Sequence, residues 1–221
     1  MFSSNPHTPV RTVLFDLGGV LVDWDPRHLY RRLFTDEAAM ERFLATVCTQ
    51  AWNEEQDAGR PFREGVELLL ARYPHHATEI RAYDARWVEM LRGAIEESVA
   101  ILDELRRRRV PFFGLTNFSA EKFPLARERF GFLDWFEGIL VSGEEGLKKP
   151  DPRIYHLAIE RFGLVPAETL YVDDVEKNIS AAALLGLKTH LFLGAAGLRH
   201  CLAGCGLLPE QSPTGHRAHA G

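Results

Sequence analysis

The stretch VLFDLGGVLVD at residues 13–23 constrains this chain more than any other. An apolar, β-branched and aromatic run stops on a carboxylate, Asp16, and turns at once through Gly18 and Gly19. Runs of this kind suit strands buried on both faces of a parallel sheet. In such sheets ligands bind outside the carboxyl ends of the strands. Asp16 is therefore expected at the mouth of a sheet, with bare backbone beside it. An aspartate before glycines can also be a simple turn or helix cap, and the rest of the chain decides between these roles.

The later half repeats the pattern. VPFFGLTN at 110–117, GILVS at 138–142, TLYVDD at 169–174 and KTHLFLG at 188–194 are short apolar runs with polar or glycine ends. Helical spacing separates them. Asp151-Pro152 opens one helix, which carries Ile154, Tyr155, Ala158, Ile159 and Phe162 before Gly163 ends it. The segment after Asp174 is expected to bury Ile179, Ala182 and Ala183 and to stop at Gly186. Between residues 24 and 98 every periodic segment is helical, from Leu29, Leu33 and Phe34 to Trp87, Val88 and Leu91, and no strand is expected. The fold class is thus α/β. A Rossmann-like parallel-sheet core is expected from residues 1–23 and 99–221, with an all-helical domain, 24–98, inserted after the first strand. Residues 1–10 and 209–221 read as loose tails.

A chain of 221 residues can bury one sizeable core with an inserted lobe. Its net charge of −5, with acids and bases interspersed, argues against a nucleic-acid surface. The Arg106–Arg109 run closes a helical pattern, where cations complement the helix dipole. No apolar run reaches membrane-spanning length, and MFSSNPHTPVRT lacks a signal-peptide core. Cys48, Cys201 and Cys205 are a sparse, odd set that suits a reducing, cytoplasmic setting. Cys201 and Cys205 with His200 match no zinc spacing and read as packing residues of a late helix.

Three strand ends carry reactive or ion-handling groups: Asp16, Thr116-Asn117 and Asp173-Asp174. Lys148-Lys149-Pro150 sits just before a helix start. Parallel strands bring these groups to one edge. Three carboxylates meeting there would repel one another unless a cation intervened, and oxygen-only ligation suits Mg²⁺. A metal, a lysine, a hydroxyl and exposed amides together suit a dianionic phosphate, as phosphoryl transfer requires.

With FDLGGV at 15–20, LTN at 115–117, LKKPDPRIY at 147–155 and VDDVEKN at 172–178 in this order, the chain resembles the haloacid dehalogenase superfamily of hydrolases. The resemblance covers all but the tails, and it implies that residues 24–98 form the family's helical cap. It implies that Asp16 is a nucleophile forming an aspartyl-phosphate. Thr116 would orient the phosphoryl group, with Asn117 assisting as a phosphate ligand. Lys149 would neutralise both the nucleophile and the phosphate, while Lys148 faces solvent. Asp16, the Gly18 carbonyl and Asp174 would hold Mg²⁺, with Asp173 reaching it through water and Asn178 supporting the ligands.

One departure matters. Phosphatases of this family usually carry a second aspartate, a proton shuttle, two residues after the nucleophile. Here that residue is Gly18. The foremost reading is a phosphatase of a small phosphorylated metabolite, such as a sugar phosphate, biased toward weakly basic leaving groups. Asp23 or Asp25 could carry the proton instead, although Asp25 also suits a cap for the helix at Pro26. The alternative is a 2-haloacid dehalogenase using Asp16 without metal, but those enzymes do not keep paired acids in the fourth motif. A binding protein on a decayed hydrolase fold is the third reading. Trp24, Trp52, Glu54 and Asp57 are candidates to face the site from the cap. No macromolecular partner is implied, and the chain is expected to be a monomer or homodimer.

Overall fold

The computed structural model describes residues 8–210. Five parallel strands form the central sheet. The chain begins it with β1, Thr12–Phe15, and then makes a short antiparallel ribbon from β2, Val22–Trp24, and β3, Leu91–Ala94. The sheet continues with β4, Phe112–Thr116, β5, Ile139–Val141, β6, Thr169–Asp173, and β7, Lys188–Leu191. Its order is β5-β4-β1-β6-β7, so β1 is central and the chain leaves it in opposite directions through β4 and β6. A reversal of this kind opens a crevice at the carboxyl ends of the strands.

β1 is central because both of its faces are apolar. Leu14 packs with Leu115, Leu140 and Tyr171 on one side of the sheet, all fully buried. Phe15 meets Phe112 and Phe136 edge-to-face on the other, with ring centroids 6.4 Å away in each case. Burying each such side chain contributes about 1.5–3 kcal/mol. The helices Glu96–Arg107, Pro152–Phe162, Glu176–Leu184 and Ala195–Gly204 cover the sheet. Asp151 caps the second of these through the Arg153 N–H at 2.9 Å, and Gly163 ends it at φ 61°. Asp103 and Glu104 pair with Arg106, Arg107 and Arg108, making the arginine run a charged helix end. Cys201 and Cys205 pack against the core as expected.

Between β2 and β3 lie the helices Arg27–Tyr30, Glu37–Thr46, Gln50–Asp57, Phe62–Arg72 and Ala77–Ala85. One contiguous apolar cluster runs from Val13 and Phe15 through Leu21 into Tyr30, Phe43, Trp52 and Trp87. Four expectations need correction. Residues 24–98 are not free of strand, because Trp24 pairs with Leu91 and Asp23 with Gly93 in the ribbon. Strands of three and four residues are too short to leave a periodic signal. Val88 lies in the 3₁₀ turn Trp87–Met90 and is exposed, as is Ala183. The tighter turn rotates Val88 off the face that an α-helical period would assign it. Of the tails, residues 1–7 and 211–221 lie outside the described residues, whereas Val10 is buried.

Candidate active site

The carboxyl ends of β1, β4 and β6 bring the expected groups together. The Asp16 N–H donates to the Val172 carbonyl at 2.8 Å, so Asp16 continues the β1–β6 ladder to its last rung. Asp16 Oδ1 accepts from the Leu17 N–H at 2.7 Å and lies 2.9 Å from Lys149 Nζ. Both of these donors converge on Oδ1. Carboxylate oxygens of Asp16, Asp173 and Asp174 lie within 4.8 Å of one another. Among the described residues this is the one such group of histidine, cysteine or acid side chains.

The three acids differ sharply. Asp173 is fully buried and surrounded by donors: Lys149 Nζ at 2.8 Å, the Val175 N–H at 2.8 Å, Asn178 Nδ2 at 3.0 Å and the Tyr171 hydroxyl. Burial alone would raise its carboxyl, but Lys149 and these donors hold it below the ordinary range. Tyr171, pushed well above its usual value by burial and by Asp173, remains a donor. Asp173 thus anchors Lys149. Asp174, by contrast, is exposed as a residue, and partial desolvation of its carboxyl at the site, with the charge of Asp173, raises it above the ordinary range. Burial lifts Asp16 to about 7, opposed by Lys149 and reinforced by the two other acids. Lys149 is itself raised: burial works against its charge, but Asp16 and Asp173 more than compensate.

Gly19 explains where Asp174 sits. It has φ 72°, and a Cβ placed there would lie 2.1 Å from Asp174 Oδ2. Only glycine leaves that space to the carboxylate. Gly18 has open space where its Cβ would be. The donor set fits a hard divalent cation. Three carboxylates face one lysine, the oxygens are the ligand type Mg²⁺ takes, and buried Asn178 Oδ1 has no partner among the described residues.

Thr116 is buried at the end of β4, and Asn117 follows it. Asn117 has both ends of its side-chain amide engaged: Nδ2 donates to the Lys149 carbonyl at 3.0 Å, and Oδ1 accepts the Lys149 N–H at 2.8 Å. Its side chain therefore clamps the lysine loop, so any help Asn117 gives a phosphate falls to its backbone N–H. Lys148 does not simply face solvent, because its Nζ pairs with Glu54 at 3.0 Å.

A cavity of ≈ 60 Å³ lies between this edge and the helical segment. Gly18, Trp24, Asn53, Asp57, Trp87, Asn117, Phe118 and Ser119 line it. Of the four expected cap residues, Trp24 and Asp57 are there. Trp52 is not: its indole donates to the Gly65 carbonyl at 3.1 Å and stacks edge-on against Tyr83. Glu54 is a bridge to Lys148 and Lys177. Asp23 pairs with His28 at 2.9 Å, and Asp25 caps the Arg27 N–H at 2.8 Å, so neither lines the cavity. Asn53 and Trp87 were missed. Asn53 could have been found from its i,i+4 spacing to Asp57, whereas Trp87 carries no signal beyond its size.

A family model described as haloacid dehalogenase-like hydrolase matches residues 10–186, and the chain belongs to that family of hydrolases. It is 26% identical over 180 residues to a sesquiterpene phosphatase of Aspergillus oryzae, covering 81% of this chain and 88% of that protein. It is 35% identical over 134 residues to a phosphoserine phosphatase of Thermus thermophilus, covering 58% of this chain but only 51% of that one. In structure it resembles a family enzyme of Bacteroides thetaiotaomicron, with TM-score 0.66, 24% identity and coverage of 83% and 93% of the two chains. It also resembles an L-2-haloacid dehalogenase of Xanthobacter autotrophicus, with TM-score 0.58, 18% identity and coverage of 90% and 85%. Among the described residues no helix is long and apolar enough to cross a membrane.

Proposed function

We propose that this hydrolase is a Mg²⁺-dependent phosphatase, acting on a small phosphorylated metabolite through an aspartyl-phosphate on Asp16. The observation that carries this reading is the convergence of Asp16, Asp173 and Asp174 oxygens within 4.8 Å around one lysine. Without a cation that arrangement would repel a dianionic substrate. The phosphatase names of the sequence relatives support the same reading.

Asp16 would attack phosphorus through the oxygen that Leu17 and Lys149 do not hold. Lys149, fixed by Asp173 and by Asn117, would neutralise charge on the nucleophile and the transferring group. The Thr116 hydroxyl would orient the phosphoryl oxygens. Asp16, the Gly18 carbonyl and Asp174 would hold the metal, which when bound supplies Lewis-acid stabilisation of the phosphoryl oxygens. A cavity of ≈ 60 Å³ is well under the roughly 300 Å³ of ordinary small-molecule pockets. Substrate entry then needs the helical segment, 24–98, to lift as a cap and reclose.

Gly18 and the dehalogenase-like fold keep a second reading in view: metal-free attack of Asp16 on a 2-haloacid. One assay separates the two. Phosphate release from 4-nitrophenyl phosphate is measured with and without Mg²⁺, and chloride release from L-2-chloropropionate is measured in EDTA. Metal-dependent phosphate release that disappears in Asp16→Asn is expected. Chloride release in EDTA, or silence in both arms, would overturn the proposal.

A further inference from the structure

Gly18 removes the side chain that would carry a proton to the leaving group, so a proton carrier has to come from another element. Of the residues lining the cavity over Gly18, Asp57 alone carries an ionisable side chain. It ends the helix Gln50–Asp57, in the segment that roofs the site. The roof is fastened at this residue, because Ser142 Oγ donates to the Asp57 carbonyl while accepting the Phe118 N–H at 2.9 Å. Asn53 Nδ2 donates to Asp57 Oδ2 at 3.0 Å, and the Tyr83 hydroxyl donates to Asn53 Oδ1 at 3.0 Å.

That chain of neutral groups fixes the plane of the carboxyl without supplying charge. Among the described residues no lysine, arginine or histidine nitrogen lies within the 4.0 Å of an ion pair with Asp57. A buried carboxyl so placed favours its neutral form. Burial, with Glu54 on the same helix, lifts it to about 7, while Lys148 and the Ser119 N–H pull the other way. Tyr83, packed from the helix Ala77–Ala85, is itself pushed well above its ordinary value and stays neutral. An acid poised near neutrality can both give and retake a proton.

Resting on the phosphatase reading, we infer that Asp57 is the proton carrier that takes the place of the side chain missing at Gly18. In the first step a bond forms between Asp16 and phosphorus, the bond from phosphorus to the leaving oxygen breaks, and the Asp57 proton passes to that oxygen. In the second step water bonds to phosphorus, the Asp16–phosphorus bond breaks, and the Asp57 carboxylate takes one proton from the water. Asp57 ends protonated, Asp16 ends as a carboxylate and phosphate departs. Because Asp57 rides on the roof, the proton is available only when the site is closed. A bias toward weakly basic leaving groups is then no longer required.

The test compares Asp57→Asn with the wild type on 4-nitrophenyl phosphate and on phenyl phosphate, both with Mg²⁺, in the first turnover. Any loss in the nitrophenolate burst should be the smaller one, because that leaving group needs no proton, and a circular-dichroism spectrum matching the wild type reports that the variant is folded. Phenol release should fall by about 100-fold, the lower end of general-acid effects. Equal losses on both esters, or no loss on phenyl phosphate, would overturn the assignment. If the variant does not fold, a series of substituted phenyl phosphates on the wild type decides. A shallow dependence on leaving-group basicity supports a proton donor, and a steep one refutes it. Failure of the phosphatase reading looks different: the wild type would release neither phenol, or Asp16→Asn would release both.

Discussion

Asn117 and Lys149 exchange two hydrogen bonds, amide to carbonyl at 3.0 Å and backbone N–H to amide at 2.8 Å. These residues lie 32 positions apart, on the end of β4 and on the loop before the helix Pro152–Phe162. The pair closes around the buried lysine like a backbone ladder rung, and Lys149 Nζ then reaches Asp16 at 2.9 Å.

Removing that clamp should misplace the ammonium without removing it. Asn117→Ala is expected to lower kcat by about 100-fold, the effect of roughly 1 Å of misplacement, while KM stays within a few-fold. Steady-state kinetics on 4-nitrophenyl phosphate check this. A rise in KM alone would mean that Asn117 serves binding and not the position of Lys149.

The Gly19–Asp174 contact predicts a metal phenotype. In Gly19→Ala the new methyl would sit 2.1 Å from Asp174 Oδ2, on backbone with φ 72°. Asp174 must move, and the half-saturating Mg²⁺ concentration should rise by about 10–100-fold, the usual cost of disturbing a ligand's support. A magnesium titration of activity would expose the error if the midpoint did not shift.

Asp57 links stability to pH in a defined direction. Its folded carboxyl is raised from 3.8 to about 7, so its contribution is complete below the lower value and is lost as pH climbs through the upper one. Asp57→Asn cannot ionise and escapes that loss. Relative to the wild type, the variant should gain on the order of a few kcal/mol between pH 4 and pH 8. Urea unfolding at the two pH values measures it, and a pH-independent difference would contradict the buried, unpaired state of the acid.

Glu54 and Lys148 join the helical segment to the lysine loop at 3.0 Å, with both side chains about one-quarter exposed. Such pairs contribute roughly 0–1 kcal/mol, so Glu54→Gln should barely change the melting temperature. Hydrogen exchange in residues 50–57 should nonetheless quicken, because a tie between roof and core is lost. Unchanged exchange would place the closing contacts elsewhere, at Ser142 or at Lys122 with Asp84.

The strands that end on Asp16, Thr116 and Asp173, and their gathering at one edge, could be read from residue order alone. Apolar runs, helical spacing and helix caps are local signals, and parallel pairing sends every carboxyl end the same way. Contacts between distant residues were beyond that reach. Tyr171 and Lys149 saturate Asp173 while Asp174 stays open, although the two acids are adjacent and chemically identical. Trp52 turned into the helical packing while Asp57, five residues on, was set into the cavity wall. Which side of a helix faces the site depends on what packs behind it. That choice is made by burial and hydrogen bonding across the whole chain, and no stretch of residues holds it alone.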